Sequence, residues 1–356
     1  MSVLACPLML VDYNFIELCA LGDILEHTFG ESRLAEIIRD KIDPHCFTAS
    51  KLEGVALEEF LALNNGDDAE KLKFQSLRRL AKVLNFAIPS GSGTETIIRE
   101  AAKYDIPLST KQAQALYDKI SSVVYPEMRR FIQQRTMQVL ANNLQVSADI
   151  LWRELKKDRF SNWSYLATST TVRNIVRGRR RRDGENYSPL LIREVWSAIW
   201  RVTQNPTVLS LLEPHAHDFS TLKGSEEFYR LLFSYDVCTR SGRVRANVTH
   251  HQACNTQFCG LAADGAKLAL FNLTQIGYRI VGFVVDEVII EIADRDAEGE
   301  LLKEIEFVSR VICESMEEVI PSIPITCKYQ LSKRLRAPHY AIKYDTSLCN
   351  TAPLLP

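Results

Sequence analysis

A short apolar run, Leu8 to Val11, meets Asp12, and Glu17, Leu18, Leu21 and Leu25 follow at helical spacing. That pattern predicts a buried strand delivering a carboxylate at its end, with a helix directly after it. From Ser32 to Leu63 the periodicity stays helical, broken at Pro44 and Gly54. Residues 68 to 86 place Leu72, Leu77, Leu80 and Leu84 beside Arg78, Arg79 and Lys82, which predicts an amphipathic helix with one cationic face. It stops at Pro89 and the Ser90-Gly91-Ser92-Gly93 stretch. Helices are expected at Thr94 to Lys103 and, capped by Ser109, at Ser109 to Leu144.

Toward the C-terminal side a helix is expected from about Gly260 to Leu273. Two β-rich apolar runs, Tyr278 to Val285 and Val288 to Ile292, then flank Asp286-Glu287 and predict a hairpin with both acids at its turn. A helix from Leu302 to Val319 and a strand near Ile323 to Tyr329 complete the series. Residues 151 to 236 differ in composition, holding all four tryptophans and the cluster Arg177, Arg179, Arg180, Arg181, Arg182. They read as an inserted subdomain. Trp196 and Trp200, four apart among apolar residues, read as core packing.

The 356 residues exceed what one hydrophobic core ordinarily organises, so two or three subdomains are expected. An apolar fraction of 46% excludes a disordered or collagenous chain. Lys and Arg number 43 against 44 Asp and Glu, so any attraction to nucleic acid must come from where charges sit rather than from the total. Nine cysteines without a CxxC pair suggest a reducing compartment. The first residues lack a basic leader and reach Asp12 early, so neither a secretory signal nor a membrane span is expected and the protein reads as cytoplasmic. His250, His251, Cys254 and Cys259 lie close together but match no zinc spacing, and His215 and His217 read as surface residues.

Asp12 at a strand end and Asp286 in a tight turn could reach one edge of a single sheet despite their distance in sequence. Two such carboxylates suit two magnesium ions, with manganese as an alternative, of the kind that promote phosphoryl and nucleotidyl transfer. Arg78, Lys82 and Phe86, at successive four-residue steps, could grip a triphosphate and pack on a sugar or base. Each signal also has a plain reading, as an ordinary strand-end acid or a solvated helix face.

Taken in order, four blocks resemble the family A DNA polymerases typified by bacterial DNA polymerase I. Val11-Asp12-Tyr13-Asn14-Phe15-Ile16-Glu17-Leu18 is similar to the motif A pattern DYSQIEL, and Asp43-Pro44-His45-Cys46-Phe47-Thr48-Ala49 to DIHTxTA. Arg78 through Ala87 is similar to the motif B pattern RRxAKxxNFG. Thr239 through Arg245 is similar to TxxGRRR, and Asn255 through Asp264 to NxxxQGTAAD. Val285-Asp286-Glu287 is similar to the motif C pattern HDE. The resemblance covers about residues 9 to 148 and 237 to 330.

It implies an α+β fold: a right-hand palm with an antiparallel sheet, helical fingers and an extra helical insertion. The expected boundaries are palm 1–65, fingers 66–148, insertion 149–236 and second palm segment 237–356. The resemblance assigns the metal to Asp12, Asp286 and the carbonyl of Tyr13, with Glu287 as an accessory acid near the primer end. Arg78, Lys82 and His45 would hold the phosphates of the incoming dNTP, Phe86 would pack on its sugar, and Glu17 would exclude a ribose 2′-hydroxyl. Arg243, Arg245 and Asn255 would meet the DNA template and primer. The family's thumb and exonuclease have no counterpart, and the five clustered arginines could clasp phosphates in the thumb's place.

Four positions depart from the pattern: Ala87 for Gly, Ser90 for Tyr, Cys259 for Gln and Val285 for His. All belong to the primer or template side, whereas the metal and triphosphate side is intact. The expectation is therefore a DNA-directed DNA polymerase that handles its primer unusually. The alternatives are a primase-polymerase that starts without a primer, and a catalytically silent subunit acting with a replication partner protein. A short chain of this kind suggests a virus, plasmid or other mobile element.

Overall fold

The computed structural model of the chain describes residues 7–132, 134, 235–248, 250–293, 298–332 and 342–345. In chain order the elements are β1 (Leu8–Tyr13), α1 (Ile16–Phe29), α2 (Arg33–Arg39), α3 (Pro44–Glu53), α4 (Leu57–Ala62), α5 (Asp68–Ala87), α6 (Thr94–Ala102) and α7 (Thr110–Lys119). They continue as β2 (Tyr235–Cys238), β3 (Val244–Val248), α8 (His250–Gln275), β4 (Arg279–Val284), β5 (Glu287–Glu291), α9 (Glu298–Val319), β6 (Cys327–Ser332) and β7 (Ile342–Asp345). The mixture of helices and antiparallel sheets is the α+β class expected from the sequence. Two compact units emerge, one of residues 1–44 and 258–356, the other of residues 45–257.

In the first unit β1 is the middle strand of a five-stranded antiparallel sheet, ordered β4-β5-β1-β6-β7. Alternation along β1 buries Met9, Val11 and Tyr13 and leaves Leu8, Leu10 and Asp12 on the more open face. Val288 and Ile290 of β5 and Cys327 and Tyr329 of β6 continue the buried face. Helix α9 buries Ile305, Val308, Ile312 and Met316 at helical spacing, and Ile320 just past its end is buried too. The Tyr13 hydroxyl donates to the Ile312 carbonyl at 3.4 Å, joining β1 to that helix. Gly265 lets α8 approach α9, since a Cβ there would collide with Met316. Helices α1 and α2 are held by the Arg39–Glu26 ion pair and by Asp23, whose Oδ1 accepts from both the backbone N–H and the hydroxyl of Ser322.

The second unit is helical around α5. Its entry is fixed by a reciprocal capping box between Asp67 and Glu70, and a second box joins Ser109 and Gln112 at the start of α7. Phe60 and Phe74 pack with ring centroids 5.0 Å apart beside Cys46, Ala49 and Ala81. The helix expected from Ser109 to Leu144 is interrupted: α7 ends at Lys119, a π-helical turn covers Ile120–Val124, and Pro126 follows. Proline cannot donate the N–H that would continue the ladder.

Three other boundaries differ from the sequence reading. Helix α8 starts at His250, because its polar first turns hide the apolar stripe that begins further on. Glu287 opens β5, leaving Val285 and Asp286 alone in the turn. The last strand of the expected series begins at Cys327 rather than near Ile323; Ile323 and Ile325 are buried without being strand, and the Glu317 carboxylate accepts from the Ile325 N–H at 2.8 Å. Among the described residues no helix is long and apolar enough to cross a membrane.

Candidate active site

Strand pairing decides where the acids go. Asp12 lies opposite Glu287 of β5 on one side and opposite Lys328 of β6 on the other. Residues directly opposed in antiparallel strands project from the same face, so Glu287, Asp12 and Lys328 form one row across the sheet. The row continues in register to Val284 on β4. Asp286 is tied to the same place by its carbonyl, which accepts from the Tyr13 N–H at 3.4 Å. The two aspartates that the sequence separates so widely are thus brought together at one end of β1, with Glu287 between them.

Backbone conformation at both approaches is unusual. Val285, the first residue of the β4–β5 turn, has φ 60°, and Phe15, which leads from β1 into α1, has φ 53°. Side chains with a Cβ rarely adopt this left-handed region, and such outliers concentrate at functional sites. Asp12, Asp286 and Glu287 are all half-buried. Partial desolvation, and then the charges of Asp12 and Asp286, raise the Glu287 carboxyl above the ordinary glutamate range. Three carboxylates thus share this end of the sheet, with Lys328 the next residue along the row.

Carboxylates grouped in this way are the hard oxygen donors that a divalent cation such as magnesium takes. Among the described residues no three His, Cys, Asp or Glu side chains enclose a single point as a ready metal cage. Magnesium does not require one, since it keeps several waters and commonly takes only one or two carboxylates plus substrate phosphates. The donor set of Asp12, Asp286 and a backbone carbonyl fits it on those grounds. The His251 Nδ1 lies 3.1 Å from the Ser90 carbonyl.

Glu17 occupies the first turn of α1, and its charge, after local desolvation, contributes to pushing the thiols of Cys19 and Cys259 up to about 12. Cys19 is enclosed, whereas Cys259 keeps part of its surface exposed. Tyr13 is held neutral by burial, with Cys313 and Cys327 adding to the upward push.

In the second unit Arg78, Lys82 and Phe86 follow one another along one stripe of α5, with Lys82 exposed and the other two half-buried. His45 is only 2% exposed, and its Nδ1 lies 3.1 Å from the Asn85 amide nitrogen. Thr48 donates to the Asn85 carbonyl oxygen at 3.0 Å, and its hydroxyl is 3.1 Å from that of Tyr125. The His45 and Phe86 rings are 5.7 Å apart. His45 thus contributes to a buried polar network that anchors α5 to α3.

Arg243 and Arg245 lie at the β2–β3 hairpin, where Arg245 donates to the Thr256 hydroxyl at 3.2 Å and Gln257 to the Cys238 carbonyl at 3.3 Å. Asn255 is half-buried on the same α8 turns. Arg177, Arg179, Arg180, Arg181 and Arg182 lie outside the described residues, as do the four tryptophans.

Sequence reasoning missed Lys328 and the Thr48–Asn85 pair. Nothing in the local pattern of β6 distinguishes Lys328 from an ordinary exposed strand lysine; only the register with β1 does.

No family model matches the chain, and no curated protein matches it. Among solved structures it is similar to the POL domain of Pol1 from M. smegmatis in complex with DNA primer-template and dNTP, at 18% identity and a TM-score of 0.46. That match covers 92% of this chain and 40% of the other, so the chain spans about two fifths of the polymerase domain it matches.

Proposed function

We propose that the protein is a nucleotidyltransferase that adds deoxynucleotides to a 3′-hydroxyl on a DNA template. The observation that carries this reading is the pairing of Asp12 with Glu287 and of Tyr13 with Asp286, which gathers three acids at one end of the central strand. The order of the sequence blocks around those acids supports it.

In this reading Asp12, Asp286 and the Tyr13 carbonyl hold magnesium. The bound ions would neutralise phosphate charge and lower the pKa of the attacking hydroxyl. The residues of the chain do the rest. Glu287, which holds its proton more tightly than an ordinary glutamate, is the accessory acid beside the primer end. Arg78 and Lys82 take the triphosphate, Arg as a planar fork and Lys as a point charge, while Phe86 packs on the sugar. His45 acts by fixing Asn85, and with it the helix that carries those cations. Glu17 excludes the ribose 2′-hydroxyl. Arg243, Arg245, Asn255 and the arginines at 177 and 179–182 are assigned to the nucleic-acid strands.

A second reading, synthesis without a primer, is favoured by a specific observation. Val285 is 82% exposed and Cys259 is also exposed, and these stand where the resembled family has a histidine and a glutamine that meet the primer-template.

The test is incorporation of labelled dNTPs with magnesium or manganese, on primed and unprimed single-stranded DNA. Asp12→Asn and Asp286→Asn should each lower incorporation by about 10³-fold, the scale of several kcal/mol of lost charge stabilisation, with DNA binding retained. Products on unprimed template would move the assignment to the second reading. Absence of incorporation by the unaltered chain on both templates would leave a nucleic-acid-binding subunit instead.

A further inference from the structure

On the flank of Asp12 away from Glu287, the first unit contains a pocket of about 280 Å³. It opens just beyond β1, between the start of α1, the segment following α2 and the start of β6. Its apolar lining includes Phe15, Cys19, Ile38, Ile42 and Pro324. Its polar groups are Asn14 and Thr326, joined by a 2.9 Å hydrogen bond from the Asn14 amide, together with Asp43 and two lysines, Lys41 and Lys328. Lys328 is the residue opposite Asp12 in the sheet register, so the pocket adjoins the acidic row.

Both lysines are exposed, and neither forms an ion pair among the described residues. Lys41 has φ 59°, a left-handed backbone that places a long cationic side chain where glycine or asparagine would be the relaxed choice. Cations available at a rim above ring-sized apolar walls match a ligand with an anionic end and a flat apolar body. Free pyrophosphate would use the lysines and leave the walls idle. A DNA backbone would likewise use the lysines and leave the walls idle, and the volume is close to the lower bound of small-molecule sites.

We propose that this pocket is a second nucleotide site, taking the nucleoside body against Phe15, Ile38 and Pro324 and the phosphates on Lys41 and Lys328. The inference rests on the polymerase reading for its purpose: a nucleotide held beside the acids, separately from the incoming dNTP, is what an enzyme needs to begin a chain without a primer. Its existence as a binding site does not depend on that reading.

The experiment measures binding of ATP and GTP to the full chain in EDTA, which suppresses metal-dependent triphosphate binding at the acids. Lys328→Ala and Lys41→Asn, the latter chosen because asparagine tolerates the left-handed conformation, are compared with the unaltered chain and with Asp12→Asn. Thermal melts of each variant show that it is folded. The expected result is binding that each lysine substitution weakens about tenfold, the scale of one charge-assisted contact, while Asp12→Asn, which removes a negative charge beside Lys328, does not weaken it. Pyrophosphate should compete at least tenfold more weakly than the nucleotides.

Equal binding by the lysine variants, or no binding in EDTA, overturns the pocket assignment; if primers are still extended, the polymerase reading survives that failure. Pyrophosphate competing as well as ATP also overturns it, because the walls then contribute nothing. Lysine-dependent nucleotide binding in a chain that extends no primer supports the pocket and removes only the polymerase reading.

Discussion

Asp12 and Glu287 face each other across adjacent antiparallel strands, and the turn residue that precedes Glu287 is a third acid, Asp286. Like charges this close on a half-buried surface destabilise the fold unless something positive joins them. Burial, and then the charges of Asp12 and Asp286, hold the Glu287 proton more tightly than in an ordinary glutamate.

The sign of the resulting pH dependence is fixed. The folded-state pKa of Glu287 lies above its unfolded value, so its contribution is favourable at low pH and is lost as pH rises through the folded pKa. In EDTA at neutral pH, Glu287→Gln should therefore melt higher than the unaltered chain, by about 1–2 °C for a chain of this size. The difference should shrink as pH falls below the ordinary glutamate value. Magnesium should raise the melting temperature of the unaltered chain. An unchanged difference from pH 4 to 7 would show that the acids do not interact.

Glu17→Ala tests the sugar assignment. The first turn of α1 places Glu17 shortly after Asp12, and a half-buried carboxylate there would leave little room beside a nucleotide's 2′ position. Removing it should raise ribonucleotide incorporation relative to deoxynucleotide by about 10-fold or more, the scale of one disfavoured contact in a tight pocket. Competition between labelled ATP and dATP at fixed template measures the ratio. An unchanged preference would assign discrimination to another residue.

The parts of the site that were legible in sequence are those written locally. An apolar run ended by Asp12, two apolar runs flanking Asp286, and Ser109 as a cap all translate directly into a strand, a hairpin and a capped helix. What could not be read is what long-range pairing creates. Lys328 stands beside Asp12 only because β6 docks in that register, and the polar first turns of α8 give no helical stripe until the β2–β3 hairpin is seen against them. His45 reads as a phosphate ligand by position, yet it is buried against Asn85; a histidine's partner on another helix leaves no local signature. Even the β4–β5 turn was partly concealed, because a valine occupies the loop position where short hairpins ordinarily carry glycine.

The Thr48–Asn85–His45 network makes a prediction about stability rather than chemistry. Asn85 is fully buried and satisfies groups from both Thr48 and His45, so Asn85→Ala leaves two polar partners without it. The expected cost is about 2–4 kcal/mol by urea unfolding, against about 1–2 kcal/mol for Thr48→Val, which removes one hydroxyl at nearly constant volume. The double substitution should cost less than the sum, since each single change already breaks the shared bond. Strict additivity would mean that the two side chains do not interact.

Val285 supplies the test of strain beside the acids. It is β-branched, highly exposed and held at φ 60°, so its side chain gains little from packing while its backbone occupies a region that disfavours it. Such conformations cost about 1–3 kcal/mol. Val285→Gly removes that cost but adds unfolded-state freedom that opposes it by about 0.5–1 kcal/mol. The net expectation is a gain of about 0.5–2 kcal/mol by chemical denaturation. Val285→Ala, which keeps a Cβ in the same conformation, should gain less than the glycine variant. If glycine instead destabilises the protein by its unfolded-state entropy alone, the turn that presents Asp286 is not left-handed, and the placement of that acid beside Tyr13 fails with it.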